Sequence, residues 1–148
     1  MRPEFKIKRF NELSVHTLYQ TLQLRSEVFV VEQNCVYQDL DGRDEKALHV
    51  IGFFEGNAVA YARLFAPGDY FESASIGRVV VSPQHRGHKW GHDLMAEAIK
   101  AIEENWQTLK ITISAQEYLK VFYEAHGFVQ EGNPYLEDGI PHIRMNRS

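Results

Sequence analysis

Apolar and polar residues follow two different periods along this chain, and each change of period marks a new element. Phe5–Phe10 alternates apolar with basic residues, which predicts a short strand with one solvated face. Asn11 or Ser14 can then cap a helix. The apolar positions that follow recur every three or four residues and predict a helical stripe facing a sheet. The stripe consists of Val15, Leu18, Leu22, Arg25 and Phe29.

Three strands are predicted in the middle of the chain. Ala47–Phe54 and Ala58–Phe65 are apolar runs, and the Glu55-Gly56-Asn57 segment between them is typical of a hairpin turn. Ser73–Val81 follows, and its apolar centre predicts a strand that is buried on both faces.

Arg78 interrupts that third strand. Strict alternation places it on the same face as Ile76 and Val80. A charge on a buried strand requires a partner, which we expect to be a carboxylate of the protein or of the acceptor substrate.

The C-terminal half predicts helix, strand, helix and a closing hairpin. A helical pattern starts at His92, and Lys110–Ser114 is a strand. A short helix ends at Gly127, and Val129 to Arg147 forms two strands around an Asp-Gly turn. The resulting order, β-α-β-β-β-α-β-α-β-β, predicts an α/β (α+β) fold with a mixed sheet flanked by helices, as one domain over residues 1–148.

Bulk composition narrows the class of protein. The chain has 148 residues, with 16 basic and 20 acidic side chains and a net charge of −4, so it lacks the basic surface of a nucleic-acid-binding protein. Its one cysteine, Cys35, excludes an internal disulfide and fits a reducing compartment. No apolar run is long enough for a membrane span, and the N-terminus does not resemble a signal peptide. We therefore expect a cytoplasmic protein that does not associate with a membrane.

The segment after the third strand carries the main chemical signal. An apolar strand end is followed by Arg86-Gly87-His88-Lys89-Trp90-Gly91 and then by a helix. Free backbone N–H groups at such a helix start can bind an anion, and the guanidinium of Arg86 suits phosphate oxygens. The glycine spacing fits neither a dinucleotide-binding loop nor a nucleotide P-loop. An ordinary turn is the alternative.

These residues resemble the signature of the GNAT superfamily of acyl-CoA-dependent N-acetyltransferases. That signature, Arg/Gln-x-x-Gly-x-Gly/Ala, follows a strand that ends in Val-x-Pro. Arg86 and Gly91 match it, whereas Lys89 stands where the family usually has its first glycine. Downstream, Tyr123–Phe128 resembles the family's Tyr…Gly-Phe ending, and Gln116 occupies the place of a frequent asparagine.

The similarity extends over nearly the whole chain toward the ElaA-type branch of that superfamily. The segments that carry it are Arg25–Cys35, Tyr37–Gly42, Ala60–Leu64 and Gly139–Ile143. The resemblance implies a mostly antiparallel sheet and acyl transfer from acetyl-CoA. It does not imply a particular acceptor.

By resemblance, acetyl-CoA binds at the strand end and the loop. The implied cofactor-binding residues are Val79, Val80, Val81, Arg86, Gly87, His88, Lys89, Trp90, Gly91, His92 and Gln116. The strand backbone would pair with the pantetheine amides, and the amide of Val81 would polarise the carbonyl. The histidines His85, His88 and His92 have no interleaved cysteine or carboxylate, so we expect no metal.

Three residues are candidates for catalysis. Tyr123 is expected to protonate the leaving thiolate, the alternative being a core tyrosine. His142 is one candidate base, because an imidazole can take up a proton near neutral pH. Glu32 is the other, and its alternative role is an ion pair with Arg25.

The acceptor is expected to meet Arg25, Asp39, Asp41 and Arg78. Arg25 lies on the helical stripe, whereas Asp39 and Asp41 belong to the polar segment Gln33–Glu45. The four carboxylates of that segment would attract a cationic amine if they lie at the mouth of the site. The alternative is a solvated acidic loop.

Together these features predict an acetyl-CoA-dependent N-acetyltransferase. Its acceptor would be a primary amine, either a small cationic molecule or the lysine side chain of a peptide, and a homodimer remains open. Two alternatives stay open: a non-catalytic acyl-CoA sensor, and an acyltransferase like the acyl-homoserine-lactone synthases, which Arg25, Phe29, Asp39, Asp41 and Arg63 faintly resemble.

Overall fold

Seven strands form a single sheet, and the computed structural model describes every residue from Met1 to Ser148. The strands are β1 (Glu4–Arg9), β2 (Leu48–Phe54), β3 (Asn57–Phe65), β4 (Ala74–Val81), β5 (Ile111–Gln116), β6 (Val129–Glu137) and β7 (Ile140–Arg147). The helices are α1 (Val15–Arg25), α2 (Trp90–Trp106) and α3 (Lys120–Glu124). The strand order is β1-β2-β3-β4-β5-β7-β6, and only β4 and β5 pair in parallel. The predicted fold class and element order are confirmed, with small shifts at the element ends.

Helices cover both faces of the sheet. One face packs against α2 and α3 through a large apolar cluster that includes Leu94, Ile102 and Tyr123. The other face packs against α1 through a smaller cluster around Tyr61 and Val80. None of the helices is both long and apolar enough to cross a membrane.

The first helix changes geometry halfway along its length. From Ser26 to Glu32 it widens into a π-helical segment, in which the N–H of Gln33 bonds to the carbonyl of Val28 at 3.1 Å. Wider turns rotate the later residues relative to the earlier ones, so the face predicted from an α-helical period does not persist. The ion pair between Arg25 and Glu32, which the sequence offered as an alternative, does not form; Arg25 pairs with Asp39 and Asp44.

The predicted stripe is also wrong at its start. Val15 is 86% exposed, and the buried face of the helix begins at Thr21. The first turn is instead held by Ser14, whose hydroxyl accepts the N–H of Thr17 at 3.0 Å.

Because of a β-bulge in β4, Arg78 does not follow the strict alternation from which its direction was predicted. Opposite β3, Tyr61 pairs with Val80 and Arg63 pairs with Gly77, so two residues of β4 face one of β3. Arg78 sits in the bulge with φ +51°. The extra residue resets the alternation, and Ile76 and Val80 therefore belong to apolar clusters on opposite faces.

Three arginines and three aspartates hold the segment between the first helix and β2 against the sheet. Arg25 is 1% exposed; its guanidinium donates to Asp39 at 3.0 Å and to Asp44 at 3.0 Å. Arg63 donates to both oxygens of Asp41 at 2.8 Å. Arg78 donates to Asp39 at 2.7 Å. We call these six residues the arginine–aspartate network.

Asp41 couples part of the fold's stability to pH. Burial alone would raise the pKa of its carboxyl, but the hydrogen bonds and charge of Arg63 outweigh burial and lower the pKa from 3.8 to about 2. Between these two pKa values the unfolded chain binds more protons than the folded protein, so stability falls as the pH falls. The contribution is complete above about pH 4 and is lost as the pH drops through about 2.

We expect the free energy of unfolding, measured by urea denaturation, to lose about 2 kcal/mol from Asp41 as the medium is acidified through this window. Asp41→Asn should be less stable at neutral pH and should lack this part of the acid slope. Asp69→Asn, on an exposed loop, is the control. An identical acid slope in wild type and Asp41→Asn would contradict the assignment.

Candidate active site

The sheet opens between β4 and β5. These two strands pair only at Ala74 with Ile111 and Ser75 with Thr112. Beyond those pairs the strands diverge, so the edge of β4 after the bulge has no neighbouring strand to bond with. A diverging pair of this kind exposes backbone N–H and C=O groups to whatever occupies the gap.

A cavity of about 550 Å³ occupies this gap. Several of the predicted site residues line it: Glu32, Arg78, Val79, Val80, Val81, Arg86, Gly91, Gln116, Tyr123 and His142. The structure therefore brings the predicted strand end, the candidate acid and both candidate bases to one cavity.

The segment Arg86–Gly91, which leads into α2 and which we call the anion loop, has the shape of an anion site. None of the backbone N–H groups from Arg86 to Gly91 donates a hydrogen bond within the protein. Lys89 adopts the left-handed conformation, with φ 62° and ψ 24°, that the missing glycine would adopt easily. At Gly91, a Cβ would lie 3.3 Å from the ring of Phe122, so glycine allows the first turn of α2 to approach α3.

Arg86 is paired within the protein. Its two terminal nitrogens donate to the carboxylate of Glu32 at 2.6 and 2.7 Å. The hydrogen bonds from Arg86 lower the pKa of Glu32, which makes this carboxylate a weaker base. The pair joins the end of the first helix to the anion loop, and an incoming phosphate would compete with Glu32 for the guanidinium.

Tyr123 lies on α3 and is 6% exposed. Burial raises the pKa of its phenol well above the ordinary value, so the hydroxyl remains protonated. No protein group forms a hydrogen bond with this hydroxyl, and the residue lines the cavity. The arrangement provides an unpaired O–H donor inside the cavity.

His142 and Gln116 are direct neighbours across β5 and β7. His142 is 7% exposed, and its Nδ1 lies 2.7 Å from the carbonyl oxygen of Ile140. A carbonyl only accepts, so Nδ1 carries the hydrogen and Nε2 keeps its lone pair in the neutral ring. Gln116 exchanges hydrogen bonds with Gln33 at 3.2 and 3.3 Å.

Three of the four predicted acceptor-binding residues lie outside the cavity wall. Arg25, Asp39 and Asp41 belong to the arginine–aspartate network and do not line the cavity. Their charges are compensated within the protein, which favours a structural role over the predicted acceptor site and over its alternative, a solvated acidic loop. Arg78 spans both regions, since it pairs with Asp39 and also lines the cavity.

The loop histidines pack against aromatic rings. His85 and His88 stack on Trp90, with centroids 5.4 and 4.8 Å away. Trp90 itself is 3% exposed, so its ring is packed within the protein. His92 bonds to His126 at 2.9 Å. No group of three or more histidine, cysteine or acidic side chains is arranged to hold a metal ion.

Sequence reasoning predicted His142 but missed the polar side chains beside it, Ser114, Tyr135 and Glu137, which together with His142 form what we call the polar wall. Ser114, Glu137 and His142 line the cavity, and the hydroxyl of Tyr135 forms a hydrogen bond with Ser114. The available signal was the spacing of Tyr135 and Glu137 on β6, because residues two apart on a strand share a face.

The fold, with its opened sheet, is that of an acyltransferase. The profile of the acetyltransferase (GNAT) domain matches residues 11–148. This chain belongs to the GNAT family, and its activity class is acyl-CoA-dependent N-acyl transfer.

Individual relatives agree with this membership. The chain is 44% identical to protein ElaA of Escherichia coli K12 over 146 residues, covering 97% of this chain and 95% of that protein. An acyl-CoA N-acyltransferase from Pseudomonas aeruginosa has a crystal structure with TM-score 0.93 and 42% identity, covering 99% of both chains. The crystal structure of Escherichia coli ElaA gives TM-score 0.92 and 42% identity, again covering 99% of both chains.

The left-handed Lys89 leads to a stability prediction. Removing its Cβ relieves a conformation that costs about 1 kcal/mol, although a more flexible unfolded chain offsets part of the gain. Lys89→Gly should therefore raise the free energy of unfolding in urea by up to that amount. Lys89→Ala also removes the ammonium but keeps the strain, so it should show no gain. Equal gains in both variants would attribute the effect to charge.

Proposed function

We propose that this protein transfers the acetyl group of acetyl-CoA directly to a primary amine, carried by a small cationic molecule or by a lysine side chain. The observation that carries the proposal is the cavity between β4 and β5. It combines free backbone groups for the cofactor with a protonated phenol and an imidazole lone pair at the reaction centre.

The cofactor would bind along the unpaired edge of β4. Val79, Val80 and Val81 offer backbone groups to the pantetheine amides, and the amide of Val81 polarises the thioester carbonyl. The pyrophosphate would meet the free N–H groups between Arg86 and Gly91 and the positive end of α2.

Acyl transfer then requires two proton movements. The acceptor ammonium loses a proton to His142 Nε2, and its nitrogen attacks the carbonyl carbon of the thioester. The C–S bond breaks, and Tyr123 donates a hydrogen bond or a proton to the departing sulfur. Glu32 is the weaker candidate base, because its pairing with Arg86 lowers its pKa.

The first experiment is calorimetric titration with acetyl-CoA, run beside a thiol-release assay on a panel of amines. Binding with release of CoA on an amine would support the transferase. Binding without release on every amine would favour the acyl-CoA sensor. Absence of binding would overturn the assignment of the anion loop.

Arg86→Ala should weaken acetyl-CoA binding about tenfold or more, since charge-assisted hydrogen bonds to phosphate are lost. The salt dependence of the dissociation constant should also become shallower. Lys100→Ala removes a charge from an exposed position of α2, the helix that follows the loop, and is the matched control.

Glu32→Gln should have the opposite effect and tighten binding, because the guanidinium no longer has a carboxylate partner. An unchanged affinity of Arg86→Ala for acetyl-CoA would show that the phosphate groups bind elsewhere.

Tyr123→Phe should lower kcat about a hundredfold while leaving the dissociation constant of acetyl-CoA nearly unchanged, because only the proton donor is removed. Tyr118→Phe, on a side chain that is 74% exposed, is the control. Equal losses of affinity and turnover in Tyr123→Phe would indicate a structural tyrosine.

A further inference from the structure

The polar wall of the cavity is built from three neighbouring strands. Ser114 comes from β5, Tyr135 and Glu137 come from β6, and His142 comes from β7. Tyr135 lies opposite His142 in the register of β6 and β7, and their rings are nearly parallel with centroids 6.3 Å apart. Rigid strands, rather than a loop, therefore position the wall.

Chemistry fixes most of the hydrogen-bond directions in this wall. Ser114 Oγ lies 2.9 Å from Glu137 Oε1 and must donate, because a carboxylate only accepts. The hydroxyl of Tyr135 then donates to Ser114. At His142, Nδ1 already donates to the carbonyl of Ile140. The groups left over are Oε2 of Glu137 and Nε2 of His142.

These two leftover atoms face each other at 3.5 Å. When the ring is neutral both are acceptors, and no donor of the protein forms a hydrogen bond with either. The His142 side chain is only 9% exposed, so bulk water does little to compensate. These two acceptors require a hydrogen-bond donor between them, which is either a proton on Nε2 or an N–H group of a bound molecule.

Glu137 is also the carboxylate in the cavity best suited to a cation. Glu32 lines the cavity but is paired with Arg86. Asp138 also lines the cavity, but it is exposed at the apex of the turn. Glu137 has no lysine or arginine partner, and its side chain is 43% exposed toward the cavity that it lines. The four carboxylates of the acidic loop, which were predicted to attract the amine, do not line this cavity.

We propose that Glu137 and His142 together form the ammonium subsite of the acceptor, which is an aliphatic primary amine bound in its charged form. The inference rests on the proposed function and names its acceptor class. Glu137 is the counter-ion of the incoming ammonium, and the N–H donors of the ammonium satisfy both leftover acceptors.

The proton balance follows from the same geometry. One proton of the ammonium moves to Nε2 of His142, and the resulting imidazolium is paired with Glu137. The free amine forms the N–C bond as the C–S bond of the thioester breaks. The amide nitrogen releases its second proton, which balances the proton taken up by the thiolate, so one proton is released per turnover.

This subsite discriminates between kinds of amine. An alkylamine is an ammonium ion at neutral pH and offers both charge and donors. An arylamine is neutral under the same conditions and lacks the charge that Glu137 recognises. Alkylamines should therefore be preferred over arylamines of similar size.

The test is an NMR titration of the CoA-saturated protein with pentane-1,5-diamine, following the ring signals of His142, assigned through a His142→Gln variant. Wild type should show a saturable shift. Glu137→Gln keeps the hydrogen bond from Ser114 but removes the charge, and should weaken diamine binding about tenfold. Asp138→Asn, the neighbouring carboxylate, should change it by no more than about twofold.

Calorimetry with CoA on the same samples separates this inference from the proposed function. If CoA binds but the diamine leaves the His142 signals unmoved, the subsite is overturned and the transferase stands. Equal diamine affinity in wild type and Glu137→Gln would also overturn it. If CoA does not bind, the proposed function fails, and the titration is evaluated on the free protein by the same criteria.

In the amine panel, Glu137→Gln should raise KM for alkyl diamines about tenfold with KM for acetyl-CoA unchanged. Better turnover of arylamines than of alkylamines by wild type would contradict the proposed acceptor class.

Discussion

The arginine–aspartate network is the interaction on which the rest of this structure depends. It joins the first helix, the polar segment after it, β3 and the bulge of β4 through charged side chains that are buried or partly buried. A buried charge without its partner is strongly unfavourable, about 3–5 kcal/mol when one member is lost. The three arginines and three aspartates balance, so the network fixes geometry without leaving a net charge beside the cavity.

That geometry creates the cavity. Arg78, anchored to Asp39, occupies the bulge of β4. Beyond Ser75 the strand no longer pairs with β5, and its edge becomes available to a ligand. The wider π-helical end of the first helix carries Glu32 to Arg86 on the opposite side of the gap. Strand, loop and helix thus meet around one space because local irregularities interrupt each regular element.

Charge pairing then gives the two ends of the cavity different chemistry. The anion loop offers unpaired N–H donors, whereas the polar wall offers unpaired acceptors at Glu137 and His142. One end is suited to phosphate and the other to an ammonium ion. Tyr123 lines the same cavity, and its hydroxyl is protonated and without a protein partner.

The sequence by itself determined the order of strands and helices, the hairpin turns and the anion loop, because these depend on periods and turn residues within a few positions of each other. It also indicated the family through Arg86, Gly91 and the Tyr123–Phe128 segment. Tertiary structure alone decided the partners of Arg25, Arg78 and Glu32, which lie 14, 39 and 54 positions away. It decided the direction of Arg78 as well, since a bulge resets the alternation that sequence reasoning assumes. The physical reason is the same throughout: local propensity is encoded in neighbouring residues, whereas pairing of buried charges is settled only when distant segments are brought out of water together.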